Sequence, residues 1–106
     1  MGHVIGIRPE AIAEYKRVHE NVWPEVLASL TASNIRNYSI YLIESENLMF
    51  SCWEYHGDDF AADMEKMSAD PKVQKWTQLC APMQVPLEAR KPDEWWARMD
   101  EVFHLD

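Results

Sequence analysis

The sequence predicts an α+β fold with the β-α-β-β-α-β order of a ferredoxin-like sandwich, a sheet covered by helices on one side. Three observations lead to it. The 106 residues suit one domain, residues 1–106, with a single core. Two runs rich in β-branched and aromatic residues, Ile35–Glu44 and Leu48–Tyr55, flank the short polar turn Ser45-Glu46-Asn47, as in an antiparallel hairpin. Segments with helical spacing lie before and after that hairpin, and each end of the chain carries a further strand-like run.

The elements follow in order. His3–Arg8 is short and β-branched and stops at Arg8-Pro9, so it reads as the first strand. Pro9 suits a first helical turn and Glu10 favours its positive end. Ile12, Tyr15, Val18, His19 and Val22 then keep helical spacing, until Pro24 breaks, kinks or restarts the helix. Val26, Leu27 and Leu30 continue an apolar stripe to Thr31-Ala32-Ser33-Asn34. In the hairpin, strand alternation places Tyr38, Ile40 and Leu42 on one face and Asn37, Ser39 and Tyr41 on the other.

Asp58 or Asp59 is expected to cap a helix reaching Met67, with Phe60, Met64 and Met67 in the core. Asp70 and Pro71 then suit the cap and first turn of another helix, whose apolar side is Val73, Trp76, Leu79 and Cys80. Ala81–Lys91 reads as a long connection, Pro92–Met99 as a short helical turn, and Glu101–Leu105 as the last strand. The strands carry apolar residues on both faces, and a sheet with helices on one side leaves the other to be covered. A homodimer packed sheet against sheet is therefore expected.

Ten Lys and Arg against eighteen Asp and Glu give a formal charge of −8. Binding to phosphate backbones or to an anionic membrane surface needs a clustered basic patch, so neither nucleic acid nor membrane is expected as a partner. A small neutral ligand fits better. Cys52 and Cys80 form no CxxC pair, and Cys52, inside an apolar run, reads as a buried thiol in a reducing compartment. The N-terminus lacks a basic region followed by a long apolar stretch, so the expected location is cytoplasmic.

The stretch with the most chemistry is Glu14–Glu25. Tyr15, His19 and Trp23 recur every four residues, so a helix through them would line up a phenol, an imidazole and an indole. His19-Glu20 lacks the second histidine of a zincin motif, because that place holds Trp23, and no metal site is expected. No phosphate loop, dinucleotide fingerprint or serine elbow is present either.

Five segments together, Tyr15–Glu25, Asn37–Leu42, Asn47–Phe50, Gln74–Trp76 and Glu101–Leu105, closely resemble the L-rhamnose mutarotase family, in order and over nearly the whole chain. The resemblance implies a dimeric α/β barrel that interconverts the α and β anomers of a free monosaccharide without a cofactor. It implies that His19 is the catalytic acid/base group, that Tyr15 and Tyr38 hold sugar hydroxyls, and that Trp76 lines the sugar site. Trp23 is left as a pocket wall. The family often has two consecutive tryptophans where this chain has Trp76-Thr77, which bears on the choice between L-rhamnose and a relative such as L-fucose.

The residue types suit the reaction. Anomer exchange removes a proton from the anomeric hydroxyl and adds one to the ring oxygen, and an imidazole with an ordinary pKa of about 6.5 can do either near neutrality. Two other readings are compatible with the pattern: a cofactor-free ferredoxin-like monooxygenase, and a noncatalytic sugar-binding dimer module.

Overall fold

A computed structural model describes residues 1–106. The elements are β1 (Gly2–Ile7), α1 (Ile12–His19), α2 (Pro24–Ala32), β2 (Ile35–Ile43), β3 (Leu48–Tyr55), α3 (Phe60–Ala69), α4 (Pro71–Cys80), β4 (Gln84–Val85) and β5 (Ala97–Met99). Single 3₁₀ turns at Pro9–Ala11, Glu44–Glu46 and Ala81–Met83 join some of them. The sheet is antiparallel, in the order β2-β3-β1-β4, and β5 pairs with β1 as well. The two short strands share one edge of β1: β4 takes Gly6 and Ile7, and β5 takes Gly2–Val4. This is the expected α+β class, with four helices and an antiparallel sheet.

Local chemistry explains the helix boundaries. Pro24 holds Trp23 extended, at ψ 132°, so the run of helical spacing divides into α1 and α2 there. Asp59 caps α3 by accepting from the Ala62 amide at 3.1 Å, and Asp70 caps α4 by accepting from Lys72 at 2.9 Å. Pro71 occupies the first turn of α4, where its missing N–H costs nothing.

The centre of the core is Ile5, Ile7 and Met49, each at most 2% exposed, packed with Tyr15, Cys80 and Met83. Burying each of the large aliphatic side chains contributes on the order of 1.5–3 kcal/mol. Strand alternation puts His3, Ile5 and Ile7 of β1 beside Ser51 and Met49 of β3, facing the helices. Tyr38, Ile40 and Leu42 share that side, as their spacing predicts. β2 also carries an extra residue near the start of this run. Arg36 pairs with Glu54 but Ser39 pairs with Cys52, so a bulge lies between them, with Asn37 at φ 52°. The bulge lets Ile35, which is buried, and Tyr38, which is 42% exposed, face the same way although they are an odd number of residues apart.

Several expectations from the sequence are corrected. The last strand is Ala97–Met99, not Glu101–Leu105; residues 100–106 have no regular structure, and Val102 is 95% exposed. A tail that lies beyond the last β1 partner has no strand to pair with. The same strand replaces the helical turn expected over Pro92–Met99. The Ala81–Lys91 connection contains β4, too short to leave a periodic signal. Cys52 is exposed rather than buried, because alternation turns it to the side of the sheet without helices, and Cys80 is the buried thiol. Phe60 of α3 is 40% exposed and no residue of that helix is fully buried, since α3 lies at the rim, where Phe60 stacks on Trp53.

Candidate active site

A groove opens between the helices and the sheet. One half, about 490 Å³, is lined by Tyr15, His19, Tyr38, Trp76, Gln84 and Trp95, among others. The other half, about 470 Å³, continues past His19, Tyr38 and Trp76 to Val26, Leu30, Trp53 and Val73. Each half is within the usual range for small-ligand sites, roughly 300–1,000 Å³. No Asp, Glu, Lys or Arg lines either half, so the walls suit an uncharged ligand.

His19 ends α1, where a side chain can reach back along the last turn. Its Nδ1 lies 2.8 Å from the Tyr15 carbonyl oxygen. A carbonyl only accepts, so Nδ1 carries the proton and Nε2 keeps its lone pair. Half-burial holds the His19 pKa below its ordinary value, with the hydrogen bond to the Tyr15 carbonyl opposing this. The result is a neutral imidazole at physiological pH with one nitrogen ready to take a proton.

Aromatic packing fixes the ring. Tyr15 stacks on it, with centroids 4.2 Å apart, and Trp76 of α4 meets it edge-on at 5.1 Å. Trp23, at the start of α2, packs edge-on against Trp76 at 5.1 Å. It is outside the lining of both halves, so it props the wall from behind. Trp23 does not extend the line of Tyr15 and His19 along one helix, because α1 ends at His19.

Tyr15 is buried, and its hydroxyl accepts from the Gln84 side-chain amide at 3.1 Å. Burial raises its pKa well above the ordinary phenol value, the Gln84 bond opposing, so the phenol stays protonated. Tyr38 approaches from β2 with its ring stacked on Trp53 at 6.3 Å, and desolvation raises its pKa too. Cys80 lies beside them, its thiol pushed up to about 11 by burial and therefore unreactive at neutral pH.

Tyr15, His19, Tyr38 and Trp76, named from the sequence, thus meet in one groove. Sequence reasoning missed Gln84 and the part played by Trp95 and Trp96. Gln84 is in a stretch with no period, and the two tryptophans follow a connection whose path only the fold reveals. The side chain at Thr77 also reaches the groove, one residue along α4 from Trp76.

Comparison with known proteins gives a consistent result. The family model described as L-rhamnose mutarotase matches residues 1–105. An L-rhamnose mutarotase of Phocaeicola vulgatus is 31% identical over 94% of this chain and 91% of its own length. One of Oceanobacillus iheyensis is 29% identical over 99% and 96%. The crystal structure of an L-rhamnose mutarotase from Formosa agariphila has the same fold, with a TM-score of 0.76 at 22% identity, covering 99% of this chain and 96% of that one. Matched across its length by the family model, the chain belongs to the L-rhamnose mutarotase family.

Proposed function

We propose that this protein is an isomerase of the aldose 1-epimerase type that interconverts the α and β anomers of L-rhamnose by acid/base ring opening. The observation that carries the reading is His19, whose proton is committed to a backbone carbonyl and whose free Nε2 belongs to an uncharged aromatic groove. Nε2 takes the proton of the anomeric hydroxyl. As the C1–O5 bond breaks, the imidazolium so formed returns that proton to the ring oxygen, leaving the open-chain aldehyde. Rotation about C1–C2 and the reverse steps close the ring on the other face. No net proton is consumed, and the tyrosine hydroxyls hold the sugar oxygens through the change. Trp76 offers an indole to the C–H side and the methyl group of a 6-deoxyhexose.

Exchange spectroscopy by NMR reads the reaction directly, because it detects interconversion at equilibrium. The expected result is faster exchange between the L-rhamnose anomers in the presence of the protein. Absence of acceleration with L-rhamnose, L-fucose and common aldoses would exclude the activity, and preference for L-fucose would move the substrate assignment to that sugar.

The single domain of residues 1–106 is further proposed to work as a cytoplasmic homodimer, with sheets packed together in an α/β barrel. Tyr41 and Ile43 of β2 and Met99 of β5 are exposed on the side of the sheet without helices, next to Phe50 and Val4. Exposed apolar side chains grouped on one face of a sheet support an interface there. Light scattering is expected to give twice the chain mass, and a monomeric mass at working concentration would reject the dimer.

A further inference from the structure

Gln84 is 7% exposed, in the two-residue strand β4, and both ends of its amide are occupied. Its Oε1 accepts from the Trp95 indole Nε1 at 2.8 Å, and its Nε2 donates to the Tyr15 hydroxyl oxygen at 3.1 Å. The donor inventory forces this orientation. An indole N–H only donates, so the amide must turn its carbonyl to Trp95 and its NH₂ to Tyr15. With an N–H pointing at its oxygen, Tyr15 has its own O–H left to give elsewhere, and Tyr15 is among the residues that line the groove.

We infer that Gln84 is a positioning residue: through Trp95 it fixes its own amide, and through that amide it makes Tyr15 a hydrogen-bond donor to the bound sugar. The chain of donors runs from Trp95 to Gln84 to Tyr15 to a substrate oxygen. The same amide tethers Trp95, at the end of the connection between β4 and β5, to the rim of the groove. Burial of Tyr15 supports the assignment, since its phenol keeps the proton it must present. The inference rests on the mutarotase reading for the identity of the acceptor.

Two substitutions separate positioning from packing. Gln84→Glu keeps an acceptor for Trp95 but replaces the NH₂ with a second acceptor, so Tyr15 turns its proton towards the introduced carboxylate. Gln84→Met keeps the volume and removes both bonds. Gln84→Glu is expected to lower kcat for anomer exchange about tenfold, the scale of one buried hydrogen bond. Activity relative to the unsubstituted chain should recover as pH falls and the introduced carboxyl gains a proton that it can donate to Tyr15. In ¹⁵N spectra, the Trp95 indole N–H, identified with Trp95→Phe, should keep its shift in Gln84→Glu and move in Gln84→Met. A Gln84→Glu chain as fast as the unsubstituted one, or equal losses in both variants at every pH, would overturn the assignment. Should neither variant fold, the unsubstituted chain still decides: an indole N–H of Trp95 that exchanges with deuterium as fast as free indole refutes the link. Failure of the unsubstituted chain to exchange any sugar would instead count against the function.

Discussion

The two halves of the groove share His19, Tyr38, Ile40 and Trp76 but differ in what surrounds them. On one side are Tyr15, Gln84 and Thr77, with a hydroxyl or N–H to offer at each, and Trp95, whose indole N–H is given to Gln84. On the other are Val26, Leu27, Leu30, Ile35 and Val73, with none, and the lone indole of Trp53. Volume is nearly equal, so size does not distinguish a site from a seam. What does is the presence of groups whose hydrogen bonds are only partly used within the protein. We place the chemistry in the polar half; the apolar half is walled by α2, α4 and the sheet.

The largest break in that comparison should come from His19→Ala. Loss of positioned proton transfer is expected to slow anomer exchange by roughly 10²–10⁴-fold. Near-native exchange measured by NMR in a folded variant would remove His19 from the reaction. Acid is the next perturbation. The base form of His19 is neutral and its pKa lies below the ordinary 6.5, so kcat/KM should hold above pH 6.5 and fall only further into acid, by about tenfold per pH unit once below the lowered pKa. A limb above 6.5 in a rate profile would show a different titrating group. The smallest effect on catalysis should come from the apolar half. Val26→Ala, at a position 3% exposed, should cost stability of about 0.5–3 kcal/mol in urea unfolding while kcat stays within about twofold. A large fall in kcat would mean that this half also shapes the reaction.

Much of the lining of the candidate site is legible because its parts lie on elements with strong local signals. Tyr15 and His19 are four apart on α1, and Tyr38 belongs to an alternating strand; Trp76 is on a helix announced by Asp70-Pro71. What could not be read was the contribution of short or aperiodic segments. β4 is two residues long and β5 three, and neither a period of two nor a turn motif can be established over such lengths. The register of β1 decides instead, and it takes both strands on one edge. Gly6 makes room there: a Cβ on it would lie 2.7 Å from the Val85 carbonyl oxygen, so a side chain would push β4, and with it Gln84, away from β1. The apolar tail Val102-Phe103-His104-Leu105 reads as a strand by composition, but a strand needs a partner edge, and within one chain β5 already fills that edge. The bulge at Asn37 was equally hidden, because strict alternation already puts Tyr38 on the right face and only the position of Ile35 shows that a residue has been inserted.

The bond between His19 Nδ1 and the Tyr15 carbonyl has a consequence for how such a base can be altered. In many enzymes the group that orients a histidine is a carboxylate, open to replacement by a single codon change. Here it is a main-chain oxygen, supplied by whatever residue occupies position 15. Tyr15→Phe would strip the phenol from the groove and leave the imidazole tautomer untouched. The proposed base and the proposed sugar-holding hydroxyl, adjacent on one turn of helix, can therefore be varied separately as long as position 15 keeps an aromatic ring to stack on the imidazole.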